Sequence, residues 1–199
     1  MLRAVLLSLC AAVLLVAQDI PAPPPPANHF DLFAHFDTSM GEIVAQLFPE
    51  RTPVTVENFI ALAEGTKPTL TKDNKIAYKH FYDGLEFHRV IRYFMIQTGE
   101  VAEGKACGIA SIHDEIDSAR SFAQPFALAM ANAGRPNSAS CQIFFTVTSQ
   151  KSLDSTFTLF GQIVSGQDVA TRISEVPLRG EKPIKPVIVK TVTIERRPR

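Results

Sequence analysis

The stretch from Phe87 to Gln97, FHRVIRYFMIQ, constrains the fold most because large apolar residues alternate in it with polar ones. A period of two predicts β-strands whose successive side chains lie on opposite faces. The pattern breaks at Arg92 and Tyr93, which predicts two short strands joined there. The alternation assigns to one face Phe87, Arg89, Ile91, Phe94 and Ile96, and to the other His88, Val90, Met95 and Gln97.

Such a pair of strands would place a guanidinium and an amide at the rim of an apolar, aromatic-lined hollow. The side chains concerned are Arg89, Phe94, Met95 and Gln97. This group contains no nucleophile. The alternative is an ordinary core hairpin in which one arginine extends its charged end to solvent, and this stretch alone does not decide between the two.

The segments before this stretch predict a hairpin and a helix. Apolar and polar residues alternate on both sides of 38–41, and Gly41 suits the turn. Thr52 and Pro53 then begin a segment with the spacing of an amphipathic helix, which ends at Gly65. Residues 66–80 lack periodicity and are predicted to form a surface loop.

The segments after it predict more strands and a second helix. Strand patterns occupy 124–134, 141–148, 156–164 and 187–195, and a glycine-bearing loop is predicted after Gln97. Ser165 and Asp168 have the spacing of a capping box before an apolar helical face. Many short antiparallel strands with two helices predict a mainly β fold, a closed β-barrel with helices at its ends.

Composition excludes several classes of function. Lys plus Arg equals Asp plus Glu at 20 each, so no basic surplus exists for nucleic acid. The five histidines have no ligand-like spacing, so we expect no metal. No serine or cysteine stands with a histidine in a hydrolase motif. We also expect no cofactor.

The N-terminus predicts export. Residues 1–18 combine an early arginine, an apolar run of about 13 residues and a small residue before the expected cut near 17–19, as in a signal peptide. A spanning helix needs about 20 apolar residues, so an uncleaved anchor is the less favoured alternative and we expect no stable membrane insertion. Residues 19–29, rich in proline, predict a stiff linker to a domain at 30–199.

Three longer motifs resemble the cyclophilins, a family of peptidyl-prolyl cis-trans isomerases. They are FYDGLEFHRVIRYFMIQTGE, FALAMANAGRPNSASCQIFFTVT and SLDSTFTLFGQI, and the resemblance extends from about Phe30 to Glu195. It implies an eight-stranded barrel capped by two helices. It further implies that the chain accelerates rotation about Xaa-Pro bonds in proline-containing peptides. Together with the predicted signal peptide, it predicts a monomeric enzyme of bacterial type that is exported to the periplasm or secreted and acts on unfolded exported proteins.

The resemblance also implies roles for individual residues. The catalytic arginine matches Arg89 and the substrate-orienting glutamine matches Gln97. The proline pocket matches Phe94, Met95, Phe144, Leu153 and Phe157, and the peptide groove matches Ala131, Asn132, Ala133 and Gln142. The chain departs from the family at Arg92, Tyr93 and Ser152, which leaves open a non-catalytic module or chaperone that binds proline peptides.

Cys107 and Cys141 are the two cysteines that remain once the predicted signal peptide is removed. Exported domains meet an oxidising environment, where such a pair is a candidate disulfide. The cyclophilin arrangement implies that the loops carrying them face each other across the outer groove. The alternative is that Cys141 is a small buried residue with a free thiol.

Overall fold

The computed structural model of the chain describes residues 30–102 and 107–199. The predicted signal peptide and proline-rich linker lie outside these residues. Within them, no helix is both long and apolar enough to span a membrane.

The secondary structure is mostly β. In chain order, the described residues begin with strands β1 (Phe30–Thr38) and β2 (Gly41–Leu47), helix α1 (Pro53–Ala63), and strands β3 (Thr69–Leu70), β4 (Ile76–Ala77), β5 (Leu85–Glu86), β6 (Arg89–Ile91) and β7 (Met95–Thr98). They continue with β8 (Ala127–Met130), β9 (Ile143–Thr146), a 3₁₀ turn at Lys151–Leu153, β10 (Leu159–Ser165), α2 (Gln167–Ser174), β11 (Leu178–Arg179), β12 (Lys182–Pro183) and β13 (Ile188–Pro198).

Most predicted elements are confirmed, including the β1–β2 hairpin, the first helix and the four later strands. The segment 66–80 is not wholly irregular, because β3 and β4 pair there as a short hairpin. The predicted capping box is wrong. Ser165 belongs to β10, and Gly166 is the N-cap of α2, with φ +82° and no side-chain cap bond. A Cβ at Gly166 would lie 2.2 Å from the carbonyl oxygen of Glu42, so close packing requires glycine there.

The main sheet has nine strands in the order β5-β13-β1-β2-β10-β8-β9-β7-β6. It is a curled half-barrel, so the prediction of a closed eight-stranded barrel is wrong. The edge strands β5 and β6 are separated in sequence only by Phe87 and His88, yet they form no ladder with each other among the described strands. Instead, the Val90 N–H donates to the carbonyl of Glu181, 2.7 Å away, in the turn between β11 and β12.

The curled sheet encloses an aromatic core. Phe36 contacts Phe145 edge-on with ring centres 5.0 Å apart, and Phe59 of α1 lies 5.4 Å from Phe160. A second, smaller apolar cluster lies apart from this core and includes Phe122 and Phe144. Because side chains alternate along β9, Phe145 joins the main core while Phe144 joins the second cluster.

Candidate active site

The β6–β7 hairpin places two predicted polar residues side by side. Its register pairs Arg89 with Gln97 and Ile91 with Met95, and directly opposed residues share a face of the sheet. The intervening pair, Val90 and Ile96, is fully buried in the main core. The prediction of which residues share a face is therefore wrong for β7. Three residues rather than two connect the strands, and a shift of one residue moves every side chain of β7 to the opposite face of the sheet.

The connection at Arg92–Phe94 closes without the usual turn-forming residues. Tyr93 takes φ +56°, in the left-handed region that favours glycine. The Phe94 N–H donates to the carbonyl of Ile91 at 3.0 Å, and the Thr148 hydroxyl donates to that of Tyr93 at 2.6 Å. The segment after β9 thus fixes this turn from outside the hairpin.

Strand β9 supplies the apolar floor of the site. Phe144 is paired with Gln97 on one side and with Ala129 on the other, so its ring emerges next to the amide. The Phe144 ring stacks on Phe122 with centres 6.2 Å apart and meets Phe157 edge-on at 5.4 Å. These contacts hold three rings in fixed relative orientations.

The chain after the 3₁₀ turn is anchored behind this floor. The carboxylate of Asp154 accepts from the Phe122 N–H and from the Ser121 hydroxyl, both at 2.7 Å. Phe122 was not among the predicted site residues, and it supports Phe144 from behind. The position of Phe122 is fixed by the hydrogen bond from its N–H to the Asp154 carboxylate, 32 residues later in the chain. No pattern in the sequence predicts that contact.

Together these elements line a cavity of about 190 Å³. Its walls are Arg89, Phe94, Met95, Gln97, Ala131, Asn132, Phe144, Leu153 and Phe157. All the predicted catalytic and substrate-binding residues except Ala133 and Gln142 therefore line one hollow. Gln142 is one hydrogen bond behind it, whereas Ala133 is exposed in the loop beyond β8.

Larger hollows lie elsewhere in the described residues, with volumes of about 400, 420 and 590 Å³ near Lys67, Val187 and Ile60, respectively. None of these three hollows is lined by residues of the three motifs described above. By volume alone, these larger hollows would be the preferred candidates for a binding site. The chemistry of the lining residues favours the smaller cavity, which alone of these four hollows combines a guanidinium, an amide and several aromatic rings.

A chain of polar side chains follows the rim of the 190 Å³ cavity. The Gln97 amide donates to Oε1 of Gln142 at 2.7 Å, and Nη1 of Arg89 donates to Oε1 of Gln97 at 3.4 Å. On its other side, Nε of Arg89 donates to a carboxylate oxygen of Glu181 at 2.5 Å. Glu181 was missed by the sequence analysis because it lies 92 residues from Arg89, in a short turn without a motif.

His88, which precedes Arg89 in the chain, is mostly neutral at pH 7 because its pKa lies below the ordinary value of 6.5. Burial has the largest effect and lowers the pKa of His88, the charge of Glu100 opposes this, and the charge of Arg89 lowers the pKa further by a smaller amount. His88 therefore adds no second positive charge beside Arg89 at that pH. No group of three metal-ligating side chains occurs within residues 30–102 and 107–199.

A disulfide joins Cys107 to Cys141, with the two Cα atoms 6.5 Å apart. The carbonyl of Cys141 also accepts from the buried Tyr82 hydroxyl at 3.0 Å, and burial raises the pKa of that hydroxyl far above its usual value. Cys141 immediately precedes Gln142. The disulfide and the hydrogen bond from Tyr82 thus attach the Gln142 end of the cavity rim to the core.

Comparisons with known proteins decide the family. Residues 33–194 match the family model of the cyclophilin type peptidyl-prolyl cis-trans isomerases. The chain is an enzyme of this family. Peptidyl-prolyl cis-trans isomerase B of Streptomyces anulatus is 35% identical over 172 residues, which are 83% of this chain and 98% of that relative. Peptidyl-prolyl cis-trans isomerase A of Mycobacterium tuberculosis is 37% identical over 166 residues, 81% of this chain and 91% of the relative.

Solved cyclophilin structures share the fold. A cyclophilin type isomerase of Cryptosporidium parvum superposes with a TM-score of 0.71 at 25% identity and covers 85% of this chain and 99% of its own. The structure of that cyclophilin determined in the presence of the dipeptide Ala-Pro gives a TM-score of 0.70 and covers 82% of this chain.

Proposed function

We propose that this cyclophilin accelerates rotation about Xaa-Pro bonds in exported polypeptides, without a cofactor and as a monomer. One observation carries the proposal. The guanidinium of Arg89, the amide of Gln97 and the rings of the apolar pocket line a single cavity. The structure of a relative determined with Ala-Pro supports a proline-containing ligand for this cavity.

The reaction needs no nucleophile. Rotation about a peptide bond has a barrier of about 18–20 kcal/mol because amide resonance is lost in the twisted state. In that state the prolyl nitrogen recovers a lone pair that can accept a hydrogen bond. An enzyme therefore needs only a donor that binds the twisted amide better than the planar one.

Arg89 is the proposed donor. A guanidinium stays charged at all working pH values and holds its N–H groups in a fixed plane. Phe144, Phe157 and Leu153 are proposed to hold the proline ring, while Gln97 orients the peptide carbonyl. Ala131, Asn132 and Gln142 are proposed to contact the residues that precede proline, so that binding energy fixes one side of the rotating bond.

The proposed export rests on residues 1–29, whose composition is that of a signal peptide and linker. The mature protein recovered from outside the cytoplasm should begin near residues 17–19. Mass spectrometry of its N-terminal peptide measures this directly. Recovery of the chain with Met1 intact would contradict the proposed processing.

The activity is tested by cis–trans exchange of a short Xaa-Pro peptide, followed by NMR. Arg89→Ala should lower kcat/KM by about 10² to 10³, the usual loss when one transition-state donor is removed. Arg92→Ala is the matched control, because Arg92 is an exposed arginine three residues away that does not line the cavity. Its rate should match the wild type.

Equal rates for wild type and Arg89→Ala would refute the proposed role of Arg89. A wild-type protein that binds the peptide without accelerating exchange would instead support the non-catalytic module. Tyr93, which is 55% exposed on the turn beside the pocket, would then be the first residue to exchange for glycine.

A further inference from the structure

The guanidinium of Arg89 is held from outside the cavity by Glu181. Nε of Arg89 donates to Oε2 of Glu181 at 2.5 Å and Nη2 contacts Oε1 at 3.5 Å, so the carboxylate faces one edge of the guanidinium. Both side chains are substantially exposed, 43% for Arg89 and 54% for Glu181. The sequence motifs that carry the family resemblance do not include Glu181.

The main chain of Glu181 is fixed to the same strand. Its carbonyl accepts from the N–H of Val90 at 2.7 Å, next to Arg89 in β6. Gly180 precedes it with φ +64°, which forms the tight turn between β11 and β12. Glu181 therefore meets β6 twice, through its backbone and through its carboxylate.

This geometry leaves part of the guanidinium free to act. Of the five N–H donors of an arginine, Glu181 takes one on Nε and one on Nη2, and Gln97 takes one on Nη1. Two donors remain, one on each terminal nitrogen. The Glu181 carboxylate thus occupies the edge of the guanidinium formed by Nε and Nη2. One N–H on each terminal nitrogen stays available.

We propose that Glu181 is a positioning residue that orients Arg89 toward the prolyl nitrogen. The proposal rests on the proposed role of Arg89 as donor. A long, half-exposed arginine otherwise distributes over several rotamers, and ordering it during catalysis costs conformational entropy. Two contacts from Glu181 and one from Gln97 order the side chain before substrate binds.

A double-mutant cycle tests the proposal by measuring kcat and KM for an uncharged Xaa-Pro peptide. Glu181→Gln keeps the backbone bond to Val90 and removes the charge. It should lower kcat by about threefold to tenfold with KM nearly unchanged, the range expected for an exposed ion pair that orders a reacting group. In the Arg89→Ala background, assayed at higher enzyme concentration, Glu181→Gln should have no further effect.

Glu175→Gln is the matched control, because it removes the same charge from an exposed position at the end of α2. Its rate should equal that of the wild type. Added salt should lower the wild-type kcat toward that of Glu181→Gln, since exposed pairs are screened, and should leave the kcat of Glu181→Gln unchanged. A merely structural role for Glu181 would not produce this difference.

Three outcomes would overturn the inference: an unchanged rate for Glu181→Gln, a faster rate, or an equal loss with and without Arg89. The faster rate would mean that the carboxylate competes with substrate for the guanidinium. A normal rate for Arg89→Ala would instead refute the proposed function itself, so the two failures are distinguishable.

Discussion

The two halves of the main sheet are built differently. In the long-strand half, defined here as β1, β2 and β13, the strands have 9, 7 and 11 residues. In the short-strand half, β6 to β9, they have 3 or 4 residues each. The long strands commit their backbone groups to ladders, whereas the short strands alternate with connecting segments, and strands and connections both contribute side chains to the cavity. The cavity therefore lies where the strands are short, next to a regular scaffold of long strands.

Both halves carry a network of charged and polar side chains. In the long-strand half, His35 contacts Glu42 at 3.0 Å and Glu195 at 2.9 Å, and Glu195 also pairs with Arg197 at 2.7 Å. In the short-strand half, the network is Glu181–Arg89–Gln97–Gln142. Of these two networks, the one in the short-strand half borders the 190 Å³ cavity, whereas the one in the long-strand half faces solvent. This difference distinguishes the proposed catalytic network from the other.

The largest expected effect concerns the disulfide, which ties the short-strand half where ladders are short. Replacing both Cys107 and Cys141 by serine should lower the free energy of unfolding by about 2–4 kcal/mol, because the unfolded chain is no longer constrained. Denaturant unfolding of oxidised wild type and of the variant measures this. Reduced wild type is the control and should resemble the variant.

Thiol counting provides an independent check. Unfolded, unreduced protein exported through an oxidising compartment should contain no reactive thiol from these two residues. Two free thiols per mature chain would show that the bridge is absent and would remove the covalent difference between the two halves.

The next effect concerns the polar network of the short-strand half. Gln97→Leu keeps the shape of the side chain but disconnects Arg89 from Gln142, so kcat/KM should fall by about tenfold. Gln46→Leu in β2 makes the same chemical change in the long-strand half and should leave kcat/KM unchanged. Peptide exchange rates for the two variants provide the comparison, and equal losses would mean that the effect does not depend on the position of the glutamine beside the cavity.

The smallest effect concerns pH and the long-strand half. Partial burial by itself lowers the pKa of His35, but the hydrogen bonds and charges of Glu195 and Glu42 outweigh it and raise the pKa above its ordinary value of 6.5. A raised pKa stabilises the fold fully below pH 6.5, and this stabilisation is lost as the pH rises through the folded-state value. The thermal midpoint should therefore fall across that range, by less than about 3 °C for a mostly exposed network.

Glu195 behaves oppositely. Hydrogen bonds first from Arg197 and then from His35 lower its pKa to about 2, so its contribution is present above pH 4.5 and is lost as the pH falls toward 2. His35→Gln should remove the decline above pH 6.5, while His113→Gln, at a histidine that is exposed, should retain it. Thermal melts at several pH values decide this, and the same decline in both variants would contradict the assignment to His35.

The sequence determined the parts of the molecule that depend on local periodicity. Alternation around Gly41 predicted the β1–β2 hairpin, and Pro53 with its apolar spacing predicted α1. The residues that line the cavity could also be named in advance, because they lie in the three motifs that carry the resemblance to the cyclophilins. Each of these signals lies within a few residues of the feature that it specifies.

Only the tertiary structure decided register, sheet closure and the partner of Arg89. A three-residue connection reversed the faces of β7, and the bond from Val90 to Glu181 occupies an edge that a closed barrel would pair with β5. Gly166 replaced the predicted Ser165 cap because the chain of β2 passes 2.2 Å from where its Cβ would be. These outcomes depend on groups far apart in sequence that meet only once the chain has folded, so no local pattern encodes them.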